Sequence, residues 1–137
     1  NYRRVLAPYD ELVAEKHVNQ SLMRYERHRV WEIVGDLKDN YRHVYAKRVF
    51  YIDEDTQGIA ATEIYDGRQQ LWRVQELGGG VQYELPLCGG GGDTVYDLQV
   101  GRYLMVGLIN EEKPIDFNAA HLDPNRYTPG NMRRLGR

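Results

Sequence analysis

Length, composition and charge limit what this chain can be. It has 137 residues, of which 42% are hydrophobic and 28% charged, values typical of a single globular domain. No stretch approaches the roughly 20 consecutive apolar residues that a membrane-spanning helix needs. The net charge is −2, from 18 basic and 20 acidic residues, and this balance disfavours nucleic acid as a partner.

Aromatic and cysteine usage indicate a strand-rich chain without disulfides. There are 11 tyrosines beside two Phe and two Trp, and such aromatic side chains suit half-buried strand surfaces. Cys88 is the only cysteine, so no internal disulfide can form. The chain begins at Asn1 without an initiator Met, and we interpret it as a segment of a longer precursor.

Strands dominate the predicted elements in chain order. Residues 1–20 are a predicted lead-in with a brief helix at 10–16, and residues 21–109 are a predicted antiparallel sheet. The strands, rich in aromatic and β-branched residues, are predicted at 23–34, 42–52, 59–65, 69–76, 81–85, 94–100 and 102–109. Residues 110–137 are predicted as a loop-rich tail, with one terminal turn beginning at Thr128-Pro129.

Turn signals and strand patterning indicate the shape of the sheet. Gly35-Asp36 is predicted as a turn, and Asp66-Gly67 as a tight hairpin turn, because glycine accepts a positive φ without a Cβ clash. The strands do not alternate cleanly between apolar and polar residues. The sequence therefore favours a wide, curved antiparallel sheet with a concave side over a one-sided sandwich.

Metal ligation is not predicted. Asp53-Glu54-Asp55 resembles the start of a calcium-binding EF-hand loop, but the twelfth position holds Ile64 instead of a bidentate Glu. The segment through Gly58 is therefore predicted to be a metal-free turn. The histidines show no ligand spacing; they are His17, His28, His43 and His121. We expect no cofactor.

Catalytic nucleophiles and phosphate loops are also not predicted. Ser21 and Cys88 lack the context of a nucleophile elbow, and no base is set beside them in the sequence. The glycine run at 89–92 is followed by Asp93, where a Walker motif needs Lys. A second glycine run, at 78–80, lies close by, and glycine disfavours strand interiors. Either both runs are loops, or these positions stand for side chains of unidentified type.

Several long segments together identify a family resemblance. These segments are 25–31, 42–55, 65–68, 71–74, 96–99 and 101–104. In this order they resemble the C-terminal third of an uncharacterised proteobacterial family whose members are often labelled outer-membrane lipoprotein-sorting-like proteins. The similarity covers about residues 9–134, nearly the whole chain.

The resemblance implies a fold and a location, but no established activity. It implies a much longer secreted precursor and a half β-barrel similar to the LolA and LolB lipoprotein carriers, in which a curved antiparallel sheet wraps around an apolar cavity. It also implies the periplasm or the outer-membrane periphery of a Gram-negative bacterium. The relatives usually carry aromatic and polar side chains around Tyr83, Pro86 and Cys88, where this chain has its glycine runs.

Our leading hypothesis is a non-enzymatic envelope protein that binds a lipid, a lipoprotein acyl chain or another apolar molecule on the concave face. The predicted lining residues are Trp31, Tyr51, Trp72, Tyr103 and Met105. Simple core packing would explain the same aromatic residues. The expected partners are this apolar ligand or lipoprotein, the remainder of the full-length chain and an outer-membrane protein.

Three other functions stay open. A structural or interaction module without a small ligand would use exposed sheet edges and the C-terminal tail. An enzyme acting on an envelope substrate would use carboxylates such as Glu26, Glu32 or Asp97, although no paired geometry follows from the sequence. Basic residues interleaved with aromatics at 24–29 and 41–48 could form an RNA-binding sheet, but the neutral charge balance disfavours this function.

Overall fold

A six-stranded antiparallel sheet forms the centre of the molecule. The computed structural model describes residues 7–79, 81–82, 87–88, 91–113 and 123–136. The strands of the sheet are β1 (Val30–Asp36), β2 (Lys47–Asp53), β3 (Ile59–Tyr65), β4 (Leu71–Glu76), β7 (Asp93–Asp97) and β8 (Arg102–Val106). They lie in the order β1-β2-β3-β4-β7-β8. The sheet is open, with β1 and β8 at its edges, and the predicted mainly β, antiparallel fold is confirmed.

Short elements complete the described structure. They are α1 (Tyr9–Leu12), the ribbon of β5 (Val81–Gln82) and β6 (Leu87–Cys88), a 3-10 helix (Pro124–Tyr127) and α2 (Pro129–Leu135). Helix α2 begins where the sequence predicts, and the Thr128 hydroxyl accepts a hydrogen bond from the Asn131 N–H at 3.4 Å. No helix within these ranges is long and apolar enough to cross a membrane.

The first two strands begin later than predicted. Strands β1 and β2 start at residues 30 and 47, instead of 23 and 42. Gly35 and Asp36, predicted as a turn, are the last two residues of β1. The residues ahead of β1 lie beside the turn that follows β2, where the Glu54 N–H donates to the Arg29 carbonyl at 3.1 Å. Side-chain composition indicated the strands, but backbone pairing determines where they begin.

The later strands are shorter than predicted. Strand β4 starts at Leu71 instead of residue 69, and β7 ends at Asp97 instead of residue 100, because residues 98–101 form a turn. Strand β8 ends before Gly107, which has a φ of 74°. The predicted strand 81–85 is described only at 81–82, and residues 83–86 lie outside the described ranges. The predicted helix at 10–16 is limited to 9–12.

The turn predicted at Asp66-Gly67 is present, since the Gln69 N–H donates to the Asp66 carbonyl at 3.0 Å, but it is wider than a two-residue hairpin turn. The loop between β3 and β4 has five residues, 66–70, and Gln69 adopts the positive φ, at 61°. The Asp66 carboxylate accepts hydrogen bonds from the backbone N–H groups of Arg68 at 2.9 Å and Gln70 at 3.0 Å. These two bonds favour the wider loop, because an aspartate side chain readily bonds to backbone amides that follow it.

The strand register assigns side chains to two faces, and we call one of them the covered face. Its members include the cross-strand row Val34, Val49, Glu63, Val74, Tyr96 and Tyr103. The N-terminal segment reaches this face, since the Tyr103 hydroxyl donates to the Ala14 carbonyl at 2.6 Å. Leu12 and Val18 in that segment are fully buried, so the segment and the sheet share apolar packing.

The opposite side of the sheet is the open face. It carries two neighbouring cross-strand rows. The first row consists of Ile33, Phe50, Thr62, Gln75, Val95 and Leu104, and the second consists of Gly35, Arg48, Ile64, Arg73, Asp97 and Arg102. The register shifts between Ile64 and Tyr65, which pair with Arg73 and Leu71. Trp72 is therefore the extra residue of a β-bulge, a feature that redirects side chains at the end of a strand.

Candidate ligand-binding face

Exposed apolar side chains lie at both edges of the open face. On β1, Trp31 is 63% exposed and Ile33 is 48% exposed. On β8, Leu104 is 61% exposed and Val106 is 43% exposed. Residues two apart on a strand share a face, so these four side chains border the same surface. At its centre Ile64 is buried, with 3% exposure. Such a surface suits contact with apolar molecules.

The structure does not bring the five predicted lining residues onto a single face. The register assigns Tyr51, Tyr103 and Met105 to the covered face, because Tyr51 lies in the row that continues to Met105. Trp31 pairs with Ile52, the residue after Tyr51, and so belongs to the open face. Trp72, through its bulge, contacts the side chain of Arg73, whose guanidinium lies 4.4 Å from the Trp72 ring centroid.

A cluster of aromatic and guanidinium groups occupies one end of the open face, and we call it the Tyr45 cluster. It consists of His43, Tyr45, Arg48, Trp72, Arg73 and Asp97. The Tyr45 ring lies 5.6 Å from the Trp72 ring, edge-on at 73°, and 5.0 Å from the Arg48 guanidinium. Its hydroxyl accepts a hydrogen bond from Arg73. Edge-to-face and cation–π contacts of this kind fix the position of the ring.

Hydrogen bonds to Asp97 hold two members of the Tyr45 cluster in place. The Asp97 carboxylate accepts hydrogen bonds from the Trp72 indole N–H at 3.2 Å, the Arg73 Nε at 3.4 Å and the Val100 N–H at 3.3 Å. Burial alone would raise the pKa of Asp97, but the hydrogen bonds from Val100, Trp72 and Arg73 hold this pKa below its ordinary value. Asp97 is therefore ionised at neutral pH, and it pairs with the Arg73 guanidinium.

A shallow groove lies beside the cluster, between the end of β1 and the start of β2. Its volume is about 300 Å³. The lining residues are Gly35, Asp36, Leu37, His43, Tyr45, Ala46, Lys47, Arg48 and Phe50. A Cβ at Gly35 would lie 3.9 Å from the Phe50 ring, an ordinary van der Waals contact. The groove thus combines aromatic walls with basic side chains at one end of the open face.

The Asp53 turn is held by hydrogen bonds within the protein. Asp53 Oδ1 accepts from the backbone N–H groups of Asp55 and Thr56, at 3.0 and 2.7 Å, and Oδ2 lies 2.6 Å from His28 Nδ1. The ligand atoms of His28, Asp53 and Asp55 lie within 4.8 Å of one another. Sequence reasoning missed this neighbourhood, because His28 precedes β1 whereas the turn follows β2. Bonds to Thr56 lower the pKa of Asp53 against the opposing effect of burial.

The candidate catalytic carboxylates occupy separate places. Glu26 lies near His28, with Oε2 and Nε2 3.5 Å apart. Glu32 belongs to the covered face and pairs across the strands with Tyr51. Asp97 lies on the open face, where its carboxylate is occupied by hydrogen bonds from Trp72, Arg73 and Val100. These three carboxylates therefore do not form a single acid–base pair.

Comparison with known proteins places these features in context. A family profile described as Protein of unknown function (DUF1329) matches residues 2–133. An uncharacterized protein from Pseudomonas aeruginosa is 48% identical over 129 residues, which are 93% of this chain and 28% of that protein. The chain thus spans less than a third of the length of this relative.

A solved structure shares the fold. It is the crystal structure of a Vibrio parahaemolyticus domain named for outer membrane lipoprotein sorting. The two chains superpose with a TM-score of 0.55 at 16% sequence identity, over 79% of this chain and 42% of the other. At this level of identity the similarity concerns the fold.

Proposed function

The chain belongs to the DUF1329 family of proteins of unknown function, and we propose that it is a non-enzymatic cell-envelope protein. In this proposal it binds a lipid, a lipoprotein acyl chain or another apolar molecule on the open face. It works in the periplasm or at the outer-membrane periphery of a Gram-negative bacterium. The shared fold with a domain named for outer membrane lipoprotein sorting supports this location.

The exposed apolar edges of the open face carry the proposal. Trp31 and Ile33 on one edge, and Leu104 and Val106 on the other, present apolar side chains of which 43% or more is exposed. Covering such side chains contributes about 25 cal/mol for each Å² removed from water. Of the five lining residues predicted from the sequence, Trp31 and Trp72 fit this face. Tyr51, Tyr103 and Met105 would contact a ligand only from the covered side.

Native mass spectrometry of the protein in its full natural length, purified gently, tests the proposal. We expect a co-purifying lipid or acylated molecule. The substitution Ile33→Ser should weaken its binding about tenfold, because it removes most of the apolar area of one contact. Val34→Ser is the matched control, since Val34 is 50% exposed on the same strand but faces the other side. Equal effects of the two substitutions, or the absence of any bound lipid, would count against the proposal.

An interaction module remains the second candidate, and β1 favours it. Every residue of this edge strand is exposed, and within the described ranges no strand pairs with its outer side, so its outer backbone groups can pair with another strand. The remainder of the full-length chain, or an outer-membrane partner, would then pair with β1. Hydrogen exchange in the full-length protein separates the two candidates. Protection of the outward amides of β1 without any bound lipid would support an interaction module. Exchange of these amides at the rate of unpaired amides would reject it.

A further inference from the structure

Arg48 is a half-buried cation at the end of the open face. Its guanidinium lies against the Tyr45 ring. In the ranges that the structure describes, no ion pair or hydrogen bond joins this guanidinium to another residue. Arg73, its neighbour across the cluster, is instead bound to Asp97. Arg48 therefore offers donors in a planar fork that is suited to the two oxygens of an anion.

The Tyr45 hydroxyl has a proton to donate to a ligand. Arg73 donates a hydrogen bond to the Tyr45 oxygen, and an arginine cannot accept one in return. No acceptor for the hydroxyl proton lies among the residues of the described ranges. The ring itself is fixed by Trp72 and Arg48. The free O–H is therefore presented from a rigid support.

His43 adds a third donor. Its Nδ1 accepts a hydrogen bond from the Tyr45 backbone N–H at 3.0 Å. A neutral imidazole that accepts at Nδ1 carries its proton on Nε2. The His43 ring lies 5.0 Å from the Tyr45 ring, and His43 lines the same groove. The groove lining thus includes three residues that carry hydrogen-bond donors, namely Arg48, Tyr45 and His43.

The groove lining contains one acidic residue and one lysine that the strand register assigns to the covered face. Asp36 is the acidic residue of the lining, and strand alternation assigns it to the covered face together with Lys47, its cross-strand partner. The Lys47 ammonium lies 3.8 Å from the Tyr65 ring centroid, away from the open face. Arg48 and Gly35 face the groove from the open side.

We propose that this groove binds the phosphate or carboxylate head of an amphiphile whose apolar tail lies along the open face. The Arg48 guanidinium and the Tyr45 hydroxyl are donors that suit a ligand which accepts hydrogen bonds, and the Arg48 charge favours an anion. Phe50 and Ile33 lie on the same face beside the groove, so head and tail would bind continuously. The inference rests on the proposed function, and it names the ligand as anionic at one end.

Binding measurements with three probes test the inference on the protein in its full natural length. Isothermal calorimetry would compare dodecyl phosphate, dodecanol and inorganic phosphate. We expect dodecyl phosphate to bind about tenfold more tightly than dodecanol, and Arg48→Gln to abolish this difference, because a charge-assisted hydrogen bond is lost. Tyr45→Phe keeps the ring but removes the hydroxyl, so it should weaken the binding of dodecyl phosphate a few-fold. Arg102→Gln is the matched control, since Arg102 lies in the same cross-strand row on β8.

The outcomes separate the two proposals. Equal binding of dodecyl phosphate and dodecanol, or equal effects of Arg48→Gln and Arg102→Gln, would overturn the head-group site and leave the apolar site standing. Phosphate binding that depends on Arg48, without dodecanol binding, would support a site for free anions and reject the proposed function. Circular dichroism of each variant checks folding, and Tyr45→Phe decides the question if Arg48→Gln does not fold.

Discussion

Replacement of Asp97 by alanine should loosen the Tyr45 cluster at one end of the open face. The substitution removes the acceptor for the Trp72 indole at 3.2 Å, the Arg73 Nε at 3.4 Å and the Val100 N–H at 3.3 Å. A buried donor left without a partner costs about 1–3 kcal/mol. Arg73 is 30% exposed, so water partly replaces its lost partner. Val100 is 61% exposed, so water can also replace the partner of its amide. We therefore expect a total loss of about 2 kcal/mol, most of it from the half-buried indole.

Hydrogen exchange measured by mass spectrometry on the full-length protein would report this loss locally. A local opening free energy lower by about 2 kcal/mol accelerates exchange about thirtyfold in peptides from β4 and β7. Asp39→Ala is the control, because Asp39 is an exposed turn residue and its removal should change nothing beyond about 0.5 kcal/mol. If exchange in β4 and β7 is no faster for Asp97→Ala than for Asp39→Ala, the Asp97 hydrogen bonds do not hold the cluster together.

Three further predictions follow from the charges and the edges of the sheet. A hydrogen bond to Glu63 raises the pKa of Tyr65 to about 12, and burial raises the pKa of Tyr96 to about 12. The contribution of these two phenols to folding stability is therefore fully present below the ordinary tyrosine pKa and is lost as the pH rises through the higher folded values. Absorbance titration of Tyr65→Phe and Tyr96→Phe should lose late-titrating phenols, and unchanged curves would contradict this assignment. The lowered pKa of Asp53 stabilises its turn above the ordinary aspartate pKa, and this contribution is lost as pH falls through the lower folded value. In hydrogen exchange, Asp53→Asn should reduce the acid sensitivity of the β2–β3 turn, whereas the same acid response as the natural protein would reject this role. Residues 1–137 expressed alone should self-associate through the open edges of β1 and β8, and a stable, cooperatively unfolding monomer by analytical ultracentrifugation would refute this.

The sheet was predictable because its strands are short, sequential and antiparallel. The sequence predicts four strands within residues 23–76, and in the structure each of these strands pairs with the next one along the chain. Their ends were not predictable, because the aromatic and β-branched residues that indicate strands also occur in segments 23–29 and 42–46, where no ladder forms. At Asp66 the predicted turn is present, but side-chain bonds to the following amides accompany a wider loop, and Gln69 takes the positive φ.

The Tyr45 cluster could not be predicted from the sequence. Arg73 and Asp97 are far apart in the sequence, and only the pairing of β4 with β7 places them opposite each other. Tyr45 precedes β2, and its contact with Trp72 depends on the bulge in β4. The sequence identified Trp72 as a candidate, yet it assigned Trp72 to the same surface as Tyr51. A bulge reverses the alternation of side chains, and no simple strand pattern indicates one.

The bulge at Trp72 also determines how this family should be aligned. Because Trp72 is the additional residue between the Ile64–Arg73 and Tyr65–Leu71 pairs, its deletion would leave both pairs in register and return β4 to plain alternation. Relatives that are one residue shorter should therefore carry their gap at this position and lack the indole donor to the equivalent of Asp97. Relatives that retain the residue should retain the acid as well, since each satisfies the other. A paired gain or loss of these two residues across homologous sequences would identify the members that possess this cluster.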